Sequence, residues 1–279
     1  MKNKLLSLFV ALVLCVPAAF AHDEATMSAK ERLRKMREAG TLPQNVVTSF
    51  NRPTVDSTTA PWRSVGRVNI GGRAHCTGSL VGERLVLTAA HCLYSKAQAR
   101  MVVPSIVHFV AGYHSGGYAG HSKVASYKVH PAFDGTIGAS HKNLPYDWAL
   151  LTLHDPLGKD LGYLSFPSDL TLDEDGNARS TLYSPIVTVA GYPGDRAHLL
   201  SLEQGCKVQA VAQKGHVLMT DCVSIKGDSG GPILQNTKDG WHILGIQTAN
   251  TRINNRVVSM GVSALAFWPS YRDLLQVQQ

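Results

Sequence analysis

Three short segments carry residue types that could do chemistry together. Leu87-Thr88-Ala89-Ala90-His91-Cys92 holds an imidazole. Tyr146-Asp147-Trp148-Ala149-Leu150-Leu151 holds an acid at the mouth of an apolar run, and Gly227-Asp228-Ser229-Gly230-Gly231-Pro232 holds a hydroxyl in a glycine-rich turn. A serine hydroxyl is a poor nucleophile until an adjacent imidazole takes its proton. An acid beside that imidazole fixes its tautomer and stabilises its cation. The glycines allow backbone angles that other residues avoid, so the N–H groups of Gly227 and Ser229 can aim at one point. An oxyanion held there would gain roughly 3–4 kcal/mol from each donor. Taken singly, the segments have plainer readings: a structural His beside a Cys, a turn acid at a strand start, a tight turn.

Other candidates are weaker. Asp134, in His130-Pro131-Ala132-Phe133-Asp134-Gly135, is a rival for the acid, but its Asp-Gly setting is that of a turn with no strand after it. The sequence has 12 His yet no H-E-x-x-H. His108, His114, His121, His130 and His141 are therefore read as surface or loop residues, and no metal is expected. No phosphate-binding or dinucleotide fingerprint occurs, and no S-x-x-K surrounds Ser229. No cofactor is expected either.

The elements that must position these residues are short apolar runs split by Gly, Pro, Asn and Asp. The pattern predicts strands at 65–70, 79–81, 85–88, 106–111, 124–129, 148–153, 186–190, 207–211, 217–220, 232–234, 242–248 and 257–262. A dozen short strands with almost no helical periodicity indicate an all-β barrel or sandwich. Residues 269–276 predict a terminal helix. A second helix is predicted over 28–39, where Ser28 and Glu31 form a capping box and Gly40 is the stop.

The 279 residues, 44% apolar and 17% charged, suit a globular chain with a sizeable core. Lys2 and Lys4, the apolar run Leu5 to Val16 and Ala19-Phe20-Ala21 predict a cleavable export signal over 1–21. Beyond it no apolar run is long enough to span a bilayer. The net charge of +7 falls to +5 without Lys2 and Lys4, and its densest cluster, Lys30 to Arg37, is interleaved with Glu31 and Glu38. That pattern fits a solvated helix face rather than a nucleic-acid stripe. Four cysteines remain after the leader: Cys76, Cys92, Cys206 and Cys222. An even number in an exported chain predicts two disulfides. Neighbouring pairs lack the C-x2-C spacing of zinc sites.

On Cys76-Thr77-Gly78-Ser79-Leu80, Thr88-Ala89-Ala90-His91-Cys92, Asp147-Trp148-Ala149-Leu150-Leu151 and Gly227-Asp228-Ser229-Gly230-Gly231-Pro232, the sequence resembles the chymotrypsin-fold, trypsin-like serine endopeptidases over about residues 64–279. Its pattern is most similar to exported bacterial peptidases related to glutamyl endopeptidases. The resemblance implies two six-stranded antiparallel β-barrels with a C-terminal helix: barrel one at about 64–155, barrel two at about 156–266, the helix at about 269–276. Residues 22–63 would then be an N-terminal extension or propeptide. It implies catalysis by His91, Asp147 and Ser229, with Gly227 and Ser229 as the oxyanion hole. Cys76–Cys92 matches the family's bridge beside the catalytic His, and Cys206–Cys222 is expected as a bridge upstream of the serine loop. Val223, Ser224, Gln247 and Thr248 would line the substrate pocket. An α-amino group freed near Arg63-Ser64 would pair with Asp228. The expected protein is secreted or periplasmic and monomeric. It would act on protein or peptide substrates, with no nucleic acid and no stable membrane insertion after leader removal.

Overall fold

The computed structural model describes residues 31, 35, 51–172, 178–179, 186–253 and 256–277. Glu31 and Lys35 are helical, inside the predicted first helix. The rest of that helix and the export signal lie outside the described residues.

Six strands close the first barrel: β1 (Val65–Ile70), β2 (Ala74–Leu80), β3 (Leu85–Thr88), β6 (Val107–Ala111), β7 (Gly120–Val129) and β8 (Ala149–Leu153). Six more close the second: β11 (Ile186–Gly191), β12 (Ser201–Ala212), β13 (Val217–Thr220), β14 (Pro232–Thr237), β15 (Gly240–Ile253) and β16 (Arg256–Ser263). The strand orders are β1-β2-β3-β8-β7-β6 and β11-β12-β13-β16-β15-β14, the same connectivity twice, and the pairings are antiparallel. Two short hairpins, β4–β5 (Tyr94–Ser95, Arg100–Met101) and β9–β10 (Thr171–Leu172, Ala178–Arg179), stand outside the barrels.

Three apolar clusters explain the strand texture. Val68, Leu80, Val86, Phe109 and Leu151 fill barrel one, while Val187, Val189, Leu218, Ile233 and Leu244 fill barrel two. Between them lie Leu85, Leu87, Trp148, Leu150, Tyr192, Ile246 and Phe267. β3 thus buries Val86 into its own barrel and Leu85 and Leu87 against the other. A strand covered on both faces reads as an unbroken apolar run rather than an alternation.

Helix α1 (Leu157–Leu161) joins the barrels, and α2 (Ala264–Val277) ends the described chain. The sequence pattern places this helix at 269–276. The helix instead begins five residues earlier and contains Pro269, because Ala264, Leu265, Phe267 and Trp268 bury against the inter-barrel core. Burial of that face outweighs the backbone bond that proline removes. Residues 51–63, read as part of an extension, lie against the body. Thr54 bridges Ser201, Leu202 N–H donates to Pro53 O at 3.0 Å, Ser57 is buried, and the Trp62 and Trp241 rings sit 5.2 Å apart.

Candidate active site

The register of β3 against β8 pairs Thr88 with Ala149. The residues following Thr88 and those preceding Ala149 therefore leave barrel one at the same corner. A 3-10 turn, Ala90–Leu93, carries His91, and another, Leu144–Tyr146, delivers Asp147. The Asp147 carboxylate is buried and accepts twice from His91: the backbone N–H reaches Oδ1 at 2.8 Å and Nδ1 reaches Oδ2 at 2.7 Å. The second bond fixes Nδ1 as the protonated nitrogen and leaves Nε2 as the free acceptor. Burial opposes the imidazolium, but the charge and hydrogen bond of Asp147 outweigh it and raise the His91 pKa above 6.5.

Asp134 is not bonded to His91. It is exposed, and its carboxylate accepts the N–H and hydroxyl of Thr136 at 2.9 and 2.6 Å. Its loop is held by Asn143, whose amide donates to Asp134 O and Gly138 O. Cys76, Cys92 and His91 lie close together, yet both thiols are spent in the Cys76–Cys92 disulfide. Cys206–Cys222 is likewise formed, with Cα atoms 5.1 Å apart.

Ser229 arrives from barrel two just before β14. Thr77, on β2 of barrel one, ties this loop down: its N–H donates to Ser229 O at 2.9 Å and its hydroxyl to Gly227 O at 2.8 Å. Gly227 has φ +102°, and a Cβ there would sit 2.5 Å from Tyr192 O. Within the loop, the N–H groups of Asp228, Gly230 and Gly231 donate to Ile225 O, Gln247 O and Asp228 O. Those of Gly227 and Ser229 have no acceptor among the described residues. Two uncommitted N–H groups flanking a serine suit an outside anion. The Ser229 side chain is partly exposed.

The expected pocket residues divide. Ser224 and Gln247 are buried, and both polar atoms of the Gln247 amide lack a partner among the described residues. Thr248 turns its hydroxyl onto Met260 O at 3.2 Å. It also borders a recess of about 200 Å³ with His91, Tyr94 and Phe133. The carbonyl of Val223 accepts from Arg52. Asn250, on β15, donates to Ser224 O and accepts the Ser259 hydroxyl at 2.7 Å.

In the intact chain Asp228 already has a partner. Its buried carboxylate is already taken by Arg52, with Nη1 to Oδ1 at 3.1 Å and Nη2 to Oδ2 at 2.9 Å, and by the Ile225 N–H at 2.9 Å. Burial pushes the Asp228 pKa up, and Arg52 and the Ile225 N–H work against that push. An amine released near Ser64 would find the place occupied. Arg52 carried no local signal, being one cation in a polar, proline-containing stretch.

The sequence matches the Trypsin family over residues 52–268. The chain belongs to the trypsin family. The match begins at Arg52 itself. Among curated relatives, this trypsin-family chain is 27% identical to a glutamyl endopeptidase of Bacillus licheniformis over 55% of its length and 43% of the relative's. It thus spans less than half of that protein. It is also 27% identical to trypsin iota of Drosophila melanogaster, over 64% of its length and 70% of the relative's. A solved Glu endopeptidase in complex with MPD superposes with a TM-score of 0.64 at 21% identity, over 83% of this chain and all of that one. That likeness shows the fold, a chymotrypsin-type pair of barrels. No helix among the described residues is long and apolar enough to cross a membrane.

Proposed function

We propose that the chain is a secreted serine endopeptidase that cleaves peptide bonds through an acyl-enzyme. The observation that carries this reading is the Asp147–His91 pair beside a serine loop with two uncommitted N–H groups. Ser229 Oγ attacks the carbonyl while Nε2 of His91 takes its proton, then returns it to the leaving amine. Asp147 holds the tautomer and stabilises the imidazolium. The Gly227 and Ser229 N–H groups receive the oxyanion. Among the described residues the Ser229 hydroxyl carries no hydrogen bond; such contacts commonly tighten only when substrate binds.

Two disulfides support an oxidising compartment, which agrees with a cleaved leader over 1–21 and secretion or periplasmic residence. The glutamate preference in the name of the Bacillus relative is not carried over. Val223, Ser224, Gln247, Thr248 and Asn250 bear no charge to meet a carboxylate.

A fluorophosphonate probe tests the reading. Labelling of the wild type, its loss in Ser229→Ala and turnover of peptides as well as esters are expected. A folded wild type that takes no label would make the chain a non-catalytic binding module. Turnover of esters alone would make it an esterase.

A further inference from the structure

We infer that Arg52 is the built-in positioning residue of the Ser229 loop, so that the chain is assembled for catalysis with residues 52–63 attached. The inference rests on the peptidase reading above. Asp228 lies between Gly227 and Ser229: its C-terminal peptide carries the Ser229 N–H, and its N-terminal peptide holds the Gly227 carbonyl, so fixing Asp228 fixes the aim of the Ser229 donor and restrains the residue that carries the other. Its carboxylate is wholly buried, and a buried carboxylate requires a partner to remain ionised. Gly191 leaves the space for it: a Cβ there would meet Asp228 Oδ1 at 2.4 Å.

Arg52 supplies that partner with its whole fork. Both Nη atoms bond Asp228, Nη2 also bonds Val223 O, and Nε bonds Glu203 Oε2 at 3.0 Å. Its side chain is 2% exposed. One planar group thereby joins the pocket segment at Val223 to the nucleophile loop at Asp228. A planar fork does this with less lost freedom than a flexible ammonium would.

The fork is itself anchored from behind. The Arg52 carbonyl accepts from Arg196 Nη1 at 2.8 Å, Val55 N–H donates to Leu200 O at 3.2 Å, and the Ser57 hydroxyl donates to Tyr113 O at 3.0 Å. Ser64 is buried at 3% exposure, and its hydroxyl donates to Gly162 O. A cut at Arg63-Ser64 would therefore loosen the segment that holds Arg52 without freeing a place for the new amine. Any trimming that preserves activity falls before residue 52.

The test compares wild type, Arg52→Ala, Arg52→Lys and Val55→Ala, each expressed as the full chain. Arg52→Ala is expected to lose about 100-fold or more in kcat with KM for a short peptide within about threefold, as for misplaced oxyanion donors. Arg52→Lys, a point charge in place of a fork, is expected to retain an intermediate kcat. Val55→Ala is expected to lower the melting temperature and leave kcat unchanged. The N-terminus of the active wild-type species, read by mass spectrometry, is expected before Arg52.

A cooperatively melting Arg52→Ala protein with wild-type kcat would overturn the inference, as would an active species beginning at Ser64. Where Arg52→Ala does not fold, Arg52→Lys decides: a kcat about tenfold lower supports the inference, and an unchanged one overturns it. A wild type that neither cleaves peptide nor takes the fluorophosphonate sinks the peptidase reading instead.

Discussion

Asp147 grips His91 twice, through the backbone and through the ring, so the residue that selects the tautomer also fixes where the ring starts. Both oxygens of one buried carboxylate are spent on one residue. Asp147→Asn is expected to lower kcat by up to about 10⁴, because an amide NH2 facing Nδ1 favours the wrong tautomer. Asp134→Asn is expected to leave kcat unchanged, since the Asp134 carboxylate binds only Thr136 of its own turn. Steady-state kinetics on one peptide checks both, and the opposite ranking would refute the acid assignment.

On the proposed mechanism, the raised His91 pKa sets the acid limb of activity. Protonated His91 cannot accept from Ser229, so kcat/KM is expected to fall as pH drops through a midpoint above 6.5. The same shift acts on stability. The imidazolium–Asp147 contact stabilises the fold fully below the unfolded value and is lost as pH rises through the raised folded value. The melting difference between wild type and Asp147→Asn is therefore expected to shrink with rising pH. A midpoint at or below 6.5 would contradict the first expectation.

The proposed pocket makes a prediction about specificity. Val223 offers no anion, and Asn250, Ser259 and Ser224 are tied together by hydrogen bonds. Burying a substrate cation there leaves it unpaired. Cleavage after Arg or Lys is expected to be at least about tenfold slower than after Ala, Leu or Gln. A peptide library in which Arg or Lys is fastest would reverse this.

The Cys206–Cys222 bridge closes the β12–β13 hairpin over a separation of 16 residues. Replacing both cysteines by serine is expected to remove about 3 kcal/mol of unfolding free energy. Urea denaturation measures it, and a loss below about 1 kcal/mol would argue against the chain-entropy account.

Much of this was legible in the sequence where burial is two-sided or backbone freedom is required. β3 and β13 coincide with their apolar runs, and the glycines around Ser229 advertise the loop that needs them. β15 runs past its predicted segment into residues 249–253, which are mostly exposed, and β12 starts six residues before its predicted segment, in Ser201-Leu202-Glu203-Gln204-Gly205-Cys206, where polar residues and a glycine hide the buried Leu202 and Cys206. Arg52 was hidden for a different reason: its partner lies 176 residues away, and no local pattern encodes a buried ion pair.

Thr77 has a consequence for motion. Its hydroxyl donates to Gly227 O and accepts the Tyr192 N–H at 3.0 Å, its carbonyl accepts from Thr88, and its amide is held by Ser229. While barrel one stays folded, solvent reaches that amide when the Ser229 loop lifts away from the opposite barrel. Deuterium uptake at this one position therefore clocks how often the two halves of the cleft part company. A slow amide at Thr77 beside faster ones on the exposed ends of β12 and β15 would mark the cleft as the last region to open.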